Sequence, residues 1–141
     1  MAPSRITRLF CGITLLSLPT VAFGGYFLLQ VATQAGLEAS LSELQRSFFR
    51  AGHAHAGVLT LLGLVAQLLC DHTCLHQHWV WVARVAFPLA GLCIPAGFFL
   101  SVLSTPTAPG PLLGLIYAGA GLLALGCAVL GVGLIGAARR G

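Results

Sequence analysis

The stretch SLSELQRSFFRAGHAHAGVLTLLGLVAQLLCD, residues 40–71, decides how the chain is read. Ser40 and Glu43 stand at capping-box spacing, which predicts a helix start at residue 40, ahead of the apolar run. From Ala51 to Cys70 no side chain is acidic or is an arginine. About 20 residues of that kind in a helix cross the roughly 30 Å of a bilayer core. The same helix also carries a polar face. Alternating steps of three and four from Glu43 pass through Arg46, Arg50, His53, Gly57, Thr60, Leu64, Gln67 and Asp71. Polar groups facing lipid are costly, so this seam is expected to face the bundle interior or a partner.

Outward from that segment, three more stretches are long and apolar enough to span, at about residues 9–32, 79–103 and 111–137. The segments between them hold turn-forming residues, including Ser104-Thr105-Pro106 and Pro109-Gly110-Pro111. Of the 141 residues 57% are hydrophobic and 7% charged, against about 25% charged in an ordinary soluble domain. So little charge does not cover a water-facing surface. The expected fold is therefore an all-α, integral membrane four-helix bundle, a single transmembrane domain over 1–141. The lipid bilayer is its first partner.

The first span begins like a signal peptide, with Arg5, Arg8 and a small-residue site at Ala22-Phe23-Gly24. Its apolar run continues through Leu29, longer than a signal core of roughly 7–15 residues, so an uncleaved helix is expected. All seven basic residues are arginine. Arg5, Arg8, Arg139 and Arg140 flank the termini and Arg84 lies near the loop between helices two and three, whereas Arg46 and Arg50 belong to the opposite face. The positive-inside rule then predicts a multi-pass protein of the cell membrane with N- and C-termini cytoplasmic. The net charge of +4 is too dispersed for nucleic-acid binding. Small residues at Gly114, Ala118, Ala120, Ala124 and Ala128 predict close helix packing on the last span, and a homo-oligomer or a partner membrane protein stays open. Pro88 and Pro95 should free the carbonyls of Arg84 and Gly91.

Three functional readings are open. The seam residues Glu43, Arg46, Arg50, His53, Thr60 and Gln67 form a binding face for a cofactor, ion or partner, a path for protons or ions, or part of a redox or metal site. A plainer alternative leaves the arginines and histidines hydrogen-bonded at the membrane interface. His53 and His55 are two residues apart, about 200° around a helix, so they cannot chelate one metal together while both stay helical. Cys70, His72, Cys74, His76 and His78 are spaced by two, which in an extended segment puts all five on one side as a soft-metal cluster. That spacing departs from the paired C-x₂₋₄-C and H-x₃₋₅-H ligands of structural zinc sites. The 19 residues between His53 and His72, about 28 Å of helix, keep the two histidine groups apart. The acids Glu38, Glu43 and Asp71 form no intramembrane carboxylate pair. No nucleophile–base–acid set is visible either, and catalysis is not expected.

The segment Arg50-Ala51-Gly52-His53-Ala54-His55-Ala56-Gly57 resembles a motif of small four-helix bacterial membrane proteins. More remotely, its H-x-H resembles the haem–copper oxidase large subunit, in which two such histidines serve haems on opposite sides of a helix. The resemblance covers about one helix and implies haem or transition-metal ligation by His53 and His55. No other membrane helix of this chain holds a second histidine ligand, so no activity is implied.

Overall fold

In a computed structural model, which describes residues 2–103 and 105–140, the chain is helical and contains no strand among those residues. Ser104 lies outside the described residues. Helix α1 spans Arg5–Thr33, α2 Ala35–Ser40, α3 Glu43–Cys70, α4 Gln77–Leu100 and α5 Gly114–Ala138, the last entered through a 3-10 turn at Pro111–Leu113. Four of these, α1, α3, α4 and α5 with its 3-10 turn, are long and apolar enough to cross a membrane. They form the expected all-α four-helix bundle. Within it α1 packs chiefly on α3, α3 on α4, and α4 on α5.

The start of the second span differs from expectation. Ser40 ends α2, with its hydroxyl on Leu37 O, and Leu41 is extended at φ −107°, ψ 136°. The capping box is Ser42 with Gln45. Gln45 N donates to Ser42 Oγ at 3.1 Å and Ser42 N to Gln45 Oε1 at 3.1 Å. Both Ser40 and Ser42 have an acid or amide three residues on, and a tertiary bond distinguishes them: Ser42 Oγ donates 2.6 Å to Pro106 O in the loop after α4. Gln45, buried, donates from Nε2 to Val102 O at 2.9 Å. Those ties, with Gly110 N on Ser101 O at 2.6 Å, draw residues 101–103 into a turn and end α4 at Leu100 rather than Leu103.

The close-packed face of α5 is also corrected. Ala118, Ala120, Ala124 and Ala128 are exposed. The buried small residues are Gly119, Gly126 and Gly133, seven apart. A Cβ on Gly119 would lie 2.6 Å from Ile94 Cγ1, and one on Gly126 would lie 3.1 Å from Ala86 Cβ. The heptad interval suits packing against one neighbour, because seven residues turn a helix almost twice.

At one end of the bundle sit Ser4, the α3–α4 turn and the end of α5, where Cys74 N donates to Gly133 O at 3.5 Å. At the other lie α2 and the α4–α5 loop, joined through Ser42 and Pro106. The second end also holds an aromatic cluster. Phe49 meets Phe27 of α1 and Phe99 of α4 at centroid distances of 6.0 and 5.7 Å.

Candidate functional site at the α1–α3 seam

Along much of its length the polar seam of α3 lies against α1, but its residues do different things at the two ends. At the end near α2, the carbons of Leu28, Val31 and Ala32 from α1 and Phe49 from α3 wall a cavity of about 280 Å³, with Glu38, Glu43, Arg46 and Arg50 as its polar lining. Arg46 is held in place by Glu38: its Nη1 donates to Glu38 Oε1 at 3.1 Å and to Glu38 O at 3.4 Å. Arg50 donates from Nε to Arg46 O at 3.2 Å, one turn back. Among the described residues, Arg50 and Glu43 have no ion-pair partner, and both are exposed. Glu38 was not expected in this site. It stands eight residues before Arg46, about 12 Å along a continuous helix, and reaches it because the chain leaves the helix at Leu41.

His53 lies one turn deeper. Its ring sits over the glycine pair of α1, so that a Cβ on Gly25 would lie 3.1 Å from Cε1 and 3.2 Å from Nε2. A side chain at Gly25 would crowd the ring, which would have to shift by a few tenths of an ångström to admit it. Neither ring nitrogen has a hydrogen-bond partner among the described residues. His55 points the other way, as the 200° offset requires. Its ring centroid is 5.0 Å from that of Phe98 on α4, and its Nδ1 lies 2.7 Å from Ala51 O.

The far end of the seam is a closed polar network. Gln67 and Thr7 are fully buried and Arg84 is 4% exposed. Gln67 Nε2 donates 2.8 Å to Arg84 O, the carbonyl that Pro88 deprives of its helical donor. Arg84 Nη1 donates to Thr7 Oγ1 at 2.8 Å and Gln67 Oε1 at 3.1 Å, while Nη2 donates to Asp71 Oδ1 at 2.5 Å. Ser4 N donates to Asp71 Oδ2 at 2.9 Å. Burial by itself pushes the Asp71 carboxyl up. The Ser4 N–H, the Thr7 and Ser4 hydroxyls and the Arg84 guanidinium overcome that and hold it at about 2. Each of these side chains has a partner within the network, which joins α1, α3 and α4.

Between the two ends the seam is dry of partners. His53 and Gln67 are 14 residues apart, about 21 Å of helix. Thr60, between them, has donated its hydroxyl to Ala56 O at 2.7 Å. On the facing helix Thr14, Ser17 and Thr20 likewise bond carbonyls of their own turns.

The cysteine–histidine segment is not extended. Cys70 is the buried last residue of α3, residues 71–72 turn, and His78 is already on α4 with its centroid 4.7 Å from Trp79. Cys74 Sγ is turned to Gly133 O of α5 at 3.6 Å, while His72 and His76 are exposed. The spacing of two thus does not put the five on one side. Among the described residues no three His, Cys, Asp or Glu side chains gather into a group able to hold a metal.

No protein-family model matches the chain, and no curated protein or solved structure matches it either.

Proposed function

We propose that the protein is a non-enzymatic component of the cell membrane, its termini cytoplasmic, that holds an anionic group in the cavity between α1, α2 and α3. The carrying observation is Arg50. Among the described residues its guanidinium bonds only through Nε, to Arg46 O, and Arg50 lines a cavity that is part hydrocarbon and part charged. A guanidinium presents a planar pair of donors that matches carboxylate or phosphate oxygens. The Leu28, Val31 and Phe49 wall suits a ligand with a hydrocarbon portion. A ligand that binds the folded state raises its unfolding temperature. In an uncharged detergent, short-chain phosphatidylglycerol should therefore raise that of the wild type and not that of Arg50→Gln. No rise in either protein rejects the proposal.

A cofactor at His53 is a second reading, favoured by the unpartnered ring above Gly24 and Gly25. Neutral imidazole nitrogens ligate haem iron and transition metals. An absorption spectrum and metal analysis of the purified protein test it: a Soret band or stoichiometric metal that His53→Ala removes supports it, and their lack in the wild type ends it. Conduction along the seam is supported less, given the stretch between His53 and Gln67 that holds only Thr60, already bonded to its own helix.

A further inference from the structure

The charges lining the outer cavity are not equivalent. Arg46 and Glu38 neutralise each other at 3.1 Å. That leaves one cation, Arg50, and one anion, Glu43, without an ion-pair partner among the described residues. They are seven residues apart on α3 and so on nearly one line of the helix, about 10 Å apart along its axis. Both line the same cavity, whose remaining wall is the Glu38–Arg46 pair, Phe49 and hydrocarbon from α1. A purely anionic ligand would satisfy Arg50 and set its charge against Glu43. A purely cationic one would do the reverse.

We infer that the cavity is built for a zwitterion, a phosphate bearing an ammonium group and a hydrocarbon tail, as in the headgroup region of an aminophospholipid. The phosphate lies on Arg50, the ammonium on Glu43, and the first carbons of the chains run along Leu28 and Val31. The inference rests on the anion-binding reading and adds its selectivity: Glu43 is what discriminates against a headgroup that lacks the ammonium. Recognition of this kind works by leaving a group unpaired when the wrong ligand enters. The pairs are exposed to water, so each contributes modestly, up to about fivefold in affinity.

The test is a titration of the full chain in uncharged detergent, followed by native mass spectrometry. Three probes are compared: short-chain phosphatidylethanolamine, phosphatidylglycerol with the same chains, and chain-free O-phosphoethanolamine. The wild type should bind the ethanolamine lipid about fivefold more tightly than the glycerol lipid. Glu43→Gln should abolish that preference, while Arg50→Gln should weaken both lipids. Both side chains are exposed, so the variants should keep the wild-type unfolding temperature, measured alongside. Binding of O-phosphoethanolamine as tight as that of the lipid supports the zwitterion site and identifies a free metabolite as its source. Equal binding of the two lipids by the wild type, or a preference that survives Glu43→Gln, overturns the inference while leaving anion binding intact. Binding of none of the three overturns both.

Discussion

Gln67 occupies the same face of α3 as Arg50 and His53, yet its amide serves α4. Its carboxamide fills the gap that Pro88 leaves at Arg84 O and at the same time accepts from the Arg84 guanidinium. A buried charge with so many bonds is costly to orphan, and breaking such a pair from one side costs about 3–5 kcal/mol. Arg84→Ala should lower the unfolding temperature in detergent far more than Arg50→Ala, whose side chain is exposed. A double-mutant cycle of Arg84 with Asp71 should give a coupling well above that of an exposed pair, and additive losses would contradict the paired geometry. Exchanging the two charges should not restore the wild type, because an aspartate at 84 cannot donate to Thr7 and Gln67. The pH dependence has a definite sign. The Asp71 carboxyl is lower folded, about 2, than its ordinary 3.8, so its stabilisation is present above 3.8 and is lost as pH falls towards 2. The wild type should destabilise more steeply over that window than Asp71→Asn, as followed by acid unfolding.

At the scale of the helices, the distinction between the two small-residue faces of α5 becomes testable. On Gly119 a methyl would meet Ile94 Cγ1 at 2.6 Å and the Ile94 backbone nitrogen at 3.1 Å, so α4 and α5 must separate to admit it. Gly119→Ala should cost about 1–3 kcal/mol, as overpacking does, whereas Ala120→Leu on the exposed face should change the unfolding temperature little. Equal effects would mean that the alanine face is the packed one. Sequence periodicity could not separate these faces, because glycines and alanines recur at both and α5 is apolar all round. The spans themselves were legible, since twenty apolar residues between polar turns leave few alternatives. Legible too were the divergence of His53 from His55 and the carbonyl freed by Pro88. What filled that carbonyl was not, because Gln67 and Arg84 are joined by tertiary packing rather than by any interval. Glu38 escaped for the related reason that Leu41 breaks the helix between it and Arg46.

For the whole molecule, the decisive property is which groups share an end. Ser4, Asp71 and Cys74 meet at one end with the close of α5, so both termini and the α3–α4 turn lie together. The opposite end carries α2 and the α4–α5 loop. This arrangement needs an even number of crossings, and the arginines choose between its two orientations. Arg84 is buried and paired with Asp71, so it no longer counts as a free flanking charge. Arg5, Arg8, Arg139 and Arg140 remain at the terminal end, all exposed, against Arg46 and Arg50 at the other. The bias is weaker than the raw count of arginines implies, but its direction is the same, and basic residues within about 15–20 positions of a span are the ones that set orientation. A fluorescent reporter at the C-terminus should therefore read cytoplasmic. A periplasmic-type reporter inserted at Gly36, where a side chain meets nothing within 4 Å, should read external. The two fusions fail in different ways. Opposite readings with the C-terminus outside would keep the three crossings of α3, α4 and α5 and reverse the orientation, placing the Arg50 cavity on the cytoplasmic face. Both reporters on one side would instead mean that one of α3, α4 and α5 does not cross.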